Sequence, residues 1–443
     1  MSKGQRRKWS LSLGVLCVAA LSWPAVAGAQ EDVNGLKAEL QAQRQRQAEL
    51  EDKINQLEAR QKLKERALTE KIEQVAAAKP QEEKKADVIP DALKWASKLN
   101  WYGDFRYRYE YIDDDSASSD RHRNRIRARL GLTAKVSDEW DLGFRIATGN
   151  GEVSGDPVST NQTFDEAFSK KPIWLDQAFV GYHPQWFESL NVIAGKMENP
   201  FYKPGKNQLI WDGDLTPEGA ALTYSHPFNE KTGINLAAGG FWVNEESSGG
   251  DTSLWGFQAY LKHQIDKPTY VLGGAGWYDY GNIQGEESLA DEWDDDGEAF
   301  FGNSATADDT YALDYDLLEL FAEFGTEIAK LPVAVFGQYV QNTVADDEDT
   351  GWLIGGQINK AKDPGTWQFE YDYREAELDA VVGQFSDSDF IGGGTGGEGH
   401  RFAFTYMVAK NVAAGLTYFA DEYDGRKDDA DYSRLQADVG VKF

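Results

Sequence analysis

The chain ends on the stretch DYSRLQADVGVKF (431–443), in which apolar and polar side chains alternate up to a terminal phenylalanine. Successive side chains of an extended strand point to opposite faces, so one face carries Leu435, Ala437, Val439, Val441 and Phe443. The other face carries Arg434, Gln436, Asp438, Gly440 and Lys442. A soluble sheet buries such an apolar face in a core, whereas a transmembrane β-barrel turns it to lipid and turns the polar face to a wet lumen.

The same period of two recurs from residue 100 onward and marks about 16 strands, an even number as expected for a bacterial outer-membrane barrel. One segment, 173–183, is ambiguous because Asp176 and Gln177 fall on opposite faces. The predicted strands cover residues 101–111, 123–136, 139–148, 173–183, 188–197, 218–226, 233–243, 253–264, 269–279, 312–326, 331–342, 350–360, 366–374, 400–409, 412–420 and 431–443.

The connections between these segments alternate in length. Those after odd-numbered strands are mostly long, and those after even-numbered strands are tight turns such as Ser137-Asp138 and Lys410-Asn411. Short periplasmic turns alternating with long external loops are typical of outer-membrane barrels, and a soluble β-sandwich has no reason to keep that asymmetry. The sequence therefore predicts an all-β fold, a transmembrane antiparallel β-barrel over residues 100–443.

The first hundred residues have a different character. Residues 1–29 predict a signal peptide, with a basic start, an apolar run and the cleavage motif Ala27-Gly28-Ala29. Residues 30–78 predict a periplasmic α-helical coiled coil, and a single charged helix that touches peptidoglycan is the alternative. Residues 79–99 predict a linker and a short helix. The heptad core positions are occupied by Val33, Leu36, Leu40, Leu50, Ile54, Leu57 and Leu68.

Charge and composition exclude several classes of function. The net charge is −29, and removal of the four basic residues of the predicted signal peptide gives −29 − 4 = −33, which argues against nucleic acid as a partner. The only cysteine, Cys17, lies in the signal segment, so we expect no disulfide or thiolate metal site. The five histidines show no metal-ligand or nucleophile spacing. We expect no enzyme activity, no cofactor and no metal.

The strongest candidate site is a row of arginines on the second predicted strand. Arg125, Arg127 and Arg129 share one face at period two, opposite Ile126 and Leu130, and therefore point into the lumen if the apolar face meets lipid. Such a cationic wall inside a narrow pore concentrates anions. The alternative is that lumen carboxylates simply pair these arginines. Two arginines of the first strand extend the wall, Arg106 and Arg108.

The connection 198–217 is the predicted constriction loop. It follows the fifth predicted strand, where general porins fold an acidic loop into the lumen, and by this analogy Asp212 and Asp214 face the arginine wall. An ordinary surface loop is the alternative. Acidic runs in other loops suit oxygen-ligated Ca²⁺ or Mg²⁺ that bridges to lipopolysaccharide, but a solvated charged loop is the favoured interpretation. These runs are 113–115, 291–298, 346–349 and 428–431.

From about residue 101 to residue 443 the sequence resembles the "putative porin" family of Gram-negative outer membranes. More distantly it is similar to phosphate-selective porins, which also place lysines in the channel, whereas Lys135 and Lys262 are the few candidates here. The resemblance implies a trimer in outer-membrane lipid and lipopolysaccharide. It rests on YGDFRYR (102–108), RIRAR (125–129), WLDQA (174–178), AGKM (194–197) and WDGDL (211–215).

These observations together predict an outer-membrane porin, a passive diffusion channel for small hydrophilic solutes or ions. The alternative is a structural protein whose barrel anchors the coiled coil as a tether toward the cell wall. The terminal phenylalanine also resembles the end of the strand that the outer-membrane barrel-assembly machinery recognises.

Overall fold

The computed structural model describes residues 53, 64, 96–150, 155–247, 250–289 and 299–443. The predicted signal peptide (1–29) lies outside the described residues. So does the predicted coiled coil (30–78), apart from residues 53 and 64, which are helical. Of the predicted short helix, residues 96–98 are described and form a turn of 3-10 helix. No helix among the described residues combines the length and apolar character needed to cross a membrane.

Sixteen antiparallel strands pair in chain order, and the last strand pairs with the first, so that the sheet closes into a barrel. This closure confirms the predicted all-β barrel and its strand count. A further two-residue strand, β4, was not predicted and pairs with β2. The strands are β1 (Leu99–Asp114), β2 (Arg121–Lys135), β3 (Trp140–Thr148), β4 (Gln162–Thr163), β5 (Ile173–Tyr182), β6 (Leu190–Lys196), β7 (Glu218–Pro227), β8 (Thr232–Asn244), β9 (Thr252–Gln264), β10 (Tyr270–Gly281), β11 (Tyr315–Ile328), β12 (Leu331–Asn342), β13 (Thr350–Ile358), β14 (Trp367–Ala376), β15 (Gly397–Ala409), β16 (Val412–Tyr423) and β17 (Asp431–Lys442).

The barrel is apolar outside and polar inside, as the alternation predicts. Large apolar side chains are exposed on the outer face, with Trp101 at 58% and Trp255 at 63%. Charged side chains of the same strands are buried on the inner face, with Glu110 at 0% and Arg434 at 2%. A bilayer offers lipid to the outer face, so this inversion of the usual soluble pattern is the stable arrangement in a membrane.

A bulge settles the ambiguous strand β5. The pairing of β3 with β5 shifts register between Arg145 and Ile146, so that one strand carries an extra residue at this point. Both Asp176 and Gln177 are buried, at 7% and 3%. The Arg145 guanidinium donates to the Asp176 carboxylate. Two consecutive polar residues therefore share the lumen, which strict alternation does not allow.

The connections 197–217 and 377–396 fold into the barrel, and residues 158–162 of the 149–172 connection are buried there as well. The 197–217 loop, between β6 and β7, buries Phe201 and Trp211 against Tyr278, which points inward from β10. The 377–396 loop, between β14 and β15, contributes buried apolar residues to the same cluster. The sequence predicted the connection after β14 as an external loop. Its apolar residues instead pack inside the barrel, where their burial removes apolar surface from water.

Candidate functional site

The predicted arginines lie together on the inner face of β1 and β2. The antiparallel register places Arg106 opposite Arg127 and Arg108 opposite Arg125, and Arg129 follows one step along the same face. Alternation within each strand and this register between the strands bring all five guanidinium groups to one wall. Arg123 and Arg434 extend this set, because they contact the same carboxylate as its members. We call these seven residues the arginine wall.

Carboxylates neutralise much of the arginine wall. Asp104 accepts from the Arg127 Nε at 2.9 Å and from the Arg129 Nε at 2.8 Å. Asp214 reaches the same pair from the 197–217 loop, with its Oδ1 at 3.2 Å from the Arg129 Nη1 and at 3.7 Å from the Arg127 Nη1. The pairing that the sequence left as an alternative is thus present at Arg127 and Arg129.

Asp214 fastens two loops to the wall at once. Besides the arginines, its Oδ2 accepts hydrogen bonds from the backbone N–H of Thr160 at 3.1 Å and from the Thr160 hydroxyl at 2.8 Å. Burial raises the pKa of Asp214, but Arg127 and Arg129 outweigh it and hold that pKa below the usual range. The carboxylate therefore stays charged where the 149–172 and 197–217 loops meet the wall.

Asp212 lies away from the arginines and joins the two inner loops to each other. Its Oδ2 accepts from the backbone N–H of Ser388 at 3.0 Å, and its own N–H donates to the Phe385 carbonyl at 2.8 Å. Burial, together with the nearby charges of Asp214 and Asp387, raises the pKa of Asp212 well above its usual range. The geometry thus assigns different positions to the two predicted loop aspartates.

A second buried carboxylate, that of Glu110, pairs with several arginines of the wall. Glu110 is fully buried, and its Oε1 lies 2.8 Å from the Arg434 Nη2 and 3.4 Å from the Arg108 Nη1. Its Oε2 accepts from the Arg123 Nε. The Arg125 Nη1 lies 3.8 Å from the same oxygen. Arg434 was not predicted as a site residue, and closure of the barrel between β17 and β1 is what brings it here.

The 377–396 loop supplies another unpredicted partner, Asp389. Its carboxylate lies 3.2 Å from the Arg108 Nη1 and 2.8 Å from the Arg434 Nη2. Burial opposes ionisation, yet Arg434 and Arg108 lower the pKa of Asp389 far below its usual value. A neighbouring loop residue, Asp387, pairs with Arg374 of β14 at 2.6 Å. Ion pairs therefore dock the loop together with its buried apolar residues.

The opposite wall holds the 197–217 loop without arginines. Glu323 of β11 accepts hydrogen bonds from the Tyr202 hydroxyl at 2.7 Å and from the Gly205 backbone N–H at 3.0 Å. Gly205 has a φ of +58°, and a Cβ there would meet the Phe336 ring at 2.2 Å. The close approach of backbone to ring requires glycine at this position.

The ion pairs do not neutralise the arginine wall completely. The arginine wall has seven guanidinium groups, and its ion-pair partners are five carboxylates, so the net charge is 7 − 5 = +2. The partners are Asp104, Glu110, Asp214, Asp389 and Asp438. Arg125 has only the long contact to Glu110, and Arg106 donates to the amide oxygen of Asn161 at 2.6 Å. The residual positive charge lies at these two residues.

The described residues form no group of three or more His, Cys, Asp or Glu side chains placed to hold a metal ion. The acidic run 291–298 lies outside the described residues. What the described lumen offers chemically is a set of fixed, mostly paired charges beside inward-folded loops. Such an arrangement can orient and select charged solutes by electrostatics alone.

Comparison with known proteins agrees with this architecture. The putative porin family profile matches residues 112–309 and 305–443. No curated protein sequence matches the chain. The structure of Pseudomonas putida OprB at high pH is similar, with a TM-score of 0.52 and 11% identity over 79% of this chain and 95% of that chain.

Two further porin structures align with the chain. The Salmonella typhi OmpF complex with daunomycin has a TM-score of 0.48 and 12% identity over 78% of this chain and 97% of that chain. In vitro folded Vibrio cholerae OmpT, in its trimer form, has a TM-score of 0.44 and 13% identity over 78% and 99%. The family match spans most of the barrel. The chain belongs to the putative porin family.

Proposed function

We propose that the protein is a passive diffusion channel for small hydrophilic solutes or ions in the outer membrane of a Gram-negative bacterium. The observation that carries the proposal is the charged lumen: Asp104, Arg127, Arg129 and Asp214 keep 13–17% of their side-chain surface exposed inside the barrel. Charged side chains that stay partly exposed on an inner wall are typical of the lining of a pore and not of a protein core.

Transport by such a channel needs no reaction. A solute enters the barrel, passes along the charged inner wall beside the inward-folded loops, and moves down its gradient. The net charge of +2 on the wall favours anions at this passage, because low-dielectric surroundings focus the field of unpaired charges. Family membership supports this function over catalysis.

The proposal includes the surroundings of the barrel. We infer a homotrimer in outer-membrane lipid and lipopolysaccharide, as the porin resemblance implies. We also infer that residues 1–29 are removed as a signal peptide, and that residues 30–78 form a periplasmic coiled coil able to contact peptidoglycan. Deletion of residues 31–78 should leave solute transport intact, whereas a tether would lose its purpose and its loss would give envelope defects.

Liposome swelling with a series of uncharged sugars of increasing size tests the function. Liposomes that carry the full-length folded protein should swell with small sugars and exclude large ones. Shortening the 197–217 loop should raise the size limit, because this loop lies across the lumen against Glu323. Shortening the 115–120 loop, whose residues are all exposed, is the matched control and should leave the limit unchanged. Absence of swelling with the smallest sugar would contradict the proposal.

A further inference from the structure

We propose that Arg106 forms a binding subsite for the carboxylate group of small monovalent organic anions. This inference rests on the proposed channel function and adds the solute class to it. The subsite combines a guanidinium group without an ionic partner and open lumen beside its strand. It lies on the wall that β1 and β17 share.

Arg106 is the member of the arginine wall that lacks a carboxylate. Among the residues that the structure describes, no carboxylate oxygen lies within the 4.0 Å ion-pair distance of its guanidinium group. Its guanidinium group donates a hydrogen bond to a neutral acceptor, the Asn161 Oδ1, at 2.6 Å. Its buried Nε has no hydrogen-bond partner. A guanidinium group carries five N–H donors in a planar fork that fits a carboxylate. Arg106 therefore has both charge and donors left for a ligand.

The space for a ligand lies next to Arg106 on the last strand. The register places Arg106 directly opposite Gly440 of β17. A Cβ added to Gly440 would meet no atom within 4 Å. In contrast, the glycine opposite Tyr102 on β2, Gly131, would place a Cβ 2.3 Å from that tyrosine ring. The lumen is thus open beside Arg106 and filled beside Tyr102, four residues along the same strand.

Neighbouring carboxylates favour a single negative charge on the ligand. Asp104 lies two residues away on the same strand, and Asp438 lies two residues from Gly440 on β17. Both carboxylates are held in place by arginines. One unpaired guanidinium group balances one carboxylate, whereas the second charge of a dianion would face these fixed acids without a partner.

Arg125, the other incompletely paired arginine, does not fit a solute site. It is 4% exposed, and its Nη2 donates to the backbone carbonyl of Asn161 at 3.4 Å. The 149–172 loop therefore covers it. Arg106 is accessible in part, so the geometry assigns the ligand to Arg106.

The test is the dependence of channel conductance on the concentration of sodium butyrate, with the full-length protein in a planar bilayer. Sodium succinate, a dianion with the same four-carbon chain, is the comparison. We expect conductance to saturate with butyrate in the wild type. Arg106→Gln should raise the half-saturating concentration by about tenfold, the effect of losing one charge-assisted hydrogen bond.

Two further variants separate a site from a general charge effect. Lys262→Gln removes one positive charge from the opposite side of the lumen and should leave butyrate saturation within about twofold of wild type, since salt screens distant charges. Gly440→Leu changes no charge but fills the open space, and should weaken butyrate binding as Arg106→Gln does. Gly440 has no positive φ, so leucine is compatible with the backbone.

Each outcome decides the inference. A butyrate curve without saturation in the wild type, equal curves for wild type and Arg106→Gln, or tighter succinate than butyrate binding would overturn it. If the folded protein carries no current, the proposed function fails. Calorimetric titration of the detergent-solubilised barrel with butyrate then tests the subsite separately: saturable heat that Arg106→Gln abolishes supports it, and its absence refutes it.

Discussion

Replacing Asp389 with asparagine should release the 377–396 loop from the arginine wall. The Asp389 carboxylate is the loop's ionic contact with two wall arginines, at 3.2 Å from the Arg108 Nη1 and 2.8 Å from the Arg434 Nη2. Arg434 also donates to the backbone carbonyls of Ser388 and Asp389, at 3.3 and 3.4 Å, and the substitution keeps these two contacts. Asparagine keeps the shape of the side chain and removes its charge. Both arginines retain other carboxylates, Asp438 and Glu110 respectively, so the wall itself remains paired.

The size of the effect follows from the two lost contacts. Arg108 donates a hydrogen bond to the Asp389 carboxylate and Arg434 forms an ion pair with it. A contact of this charged kind contributes about 1.5–3 kcal/mol, which gives roughly 3–6 kcal/mol for two. The lower end applies, because the Asp389 side chain is 21% exposed and solvent screens part of its interaction. A loss of about 3 kcal/mol corresponds to a roughly 150-fold larger undocked population of the loop.

Chymotrypsin cleavage after Phe385 measures that population, since cleavage of a transiently opened segment follows its open fraction when opening and closing are fast. We expect Asp389→Asn to accelerate this cleavage by at least about tenfold, a conservative part of the shift in population. Asp428→Asn, the same change in the exposed 424–430 loop, is the control and should have no effect. Equal cleavage rates for Asp389→Asn and the wild type would refute the electrostatic docking of the loop.

Two further predictions concern the inner loops. The raised pKa of Asp212 favours its neutral form in the folded state, so its contribution to loop docking is present at low pH and weakens as pH rises above the ordinary value of 3.8. Asp212→Asn should therefore flatten the pH dependence of hydrogen exchange in residues 377–396, and an unchanged dependence would contradict this. Gly205→Ala should loosen the 197–217 loop by about 1–3 kcal/mol and increase conductance, since the new Cβ would meet the Phe336 ring. Gly285→Ala also has a positive φ but meets no atom within 4 Å, and it should leave conductance unchanged.

The strands were predictable because each carries its own signal. Period-two alternation is local, and a one-residue error would reverse the lipid and lumen faces of a whole strand, so the pattern fixes the inward position of Arg106 and Arg127. The prediction fails where a strand does not keep the regular alternation of its side chains. The bulge opposite Arg145 turns both Asp176 and Gln177 inward. The sequence marked this segment as ambiguous, but it did not show which of the two residues faces the lumen.

The partners of the arginines were less predictable, since they come from distant parts of the chain. Arg434 reaches Glu110 only because the last strand pairs with the first. Asp389 lies in a loop whose acidic residues resemble those of an exposed connection, but the apolar residues Val381, Val382, Phe390 and Ile391 were a usable signal. Apolar residues in a loop beside a lipid-facing barrel need a buried surface, and the lumen provides it.

The most direct test of the channel is single-channel recording of the folded full-length protein in a planar bilayer, with the reversal potential measured under a salt gradient. We expect ohmic conductance steps and a reversal potential on the anion-selective side, because the arginine wall keeps a net charge of +2 after ion pairing. A correctly folded barrel that carries no current would contradict the proposed channel function. Cation selectivity would contradict the role assigned to its arginines.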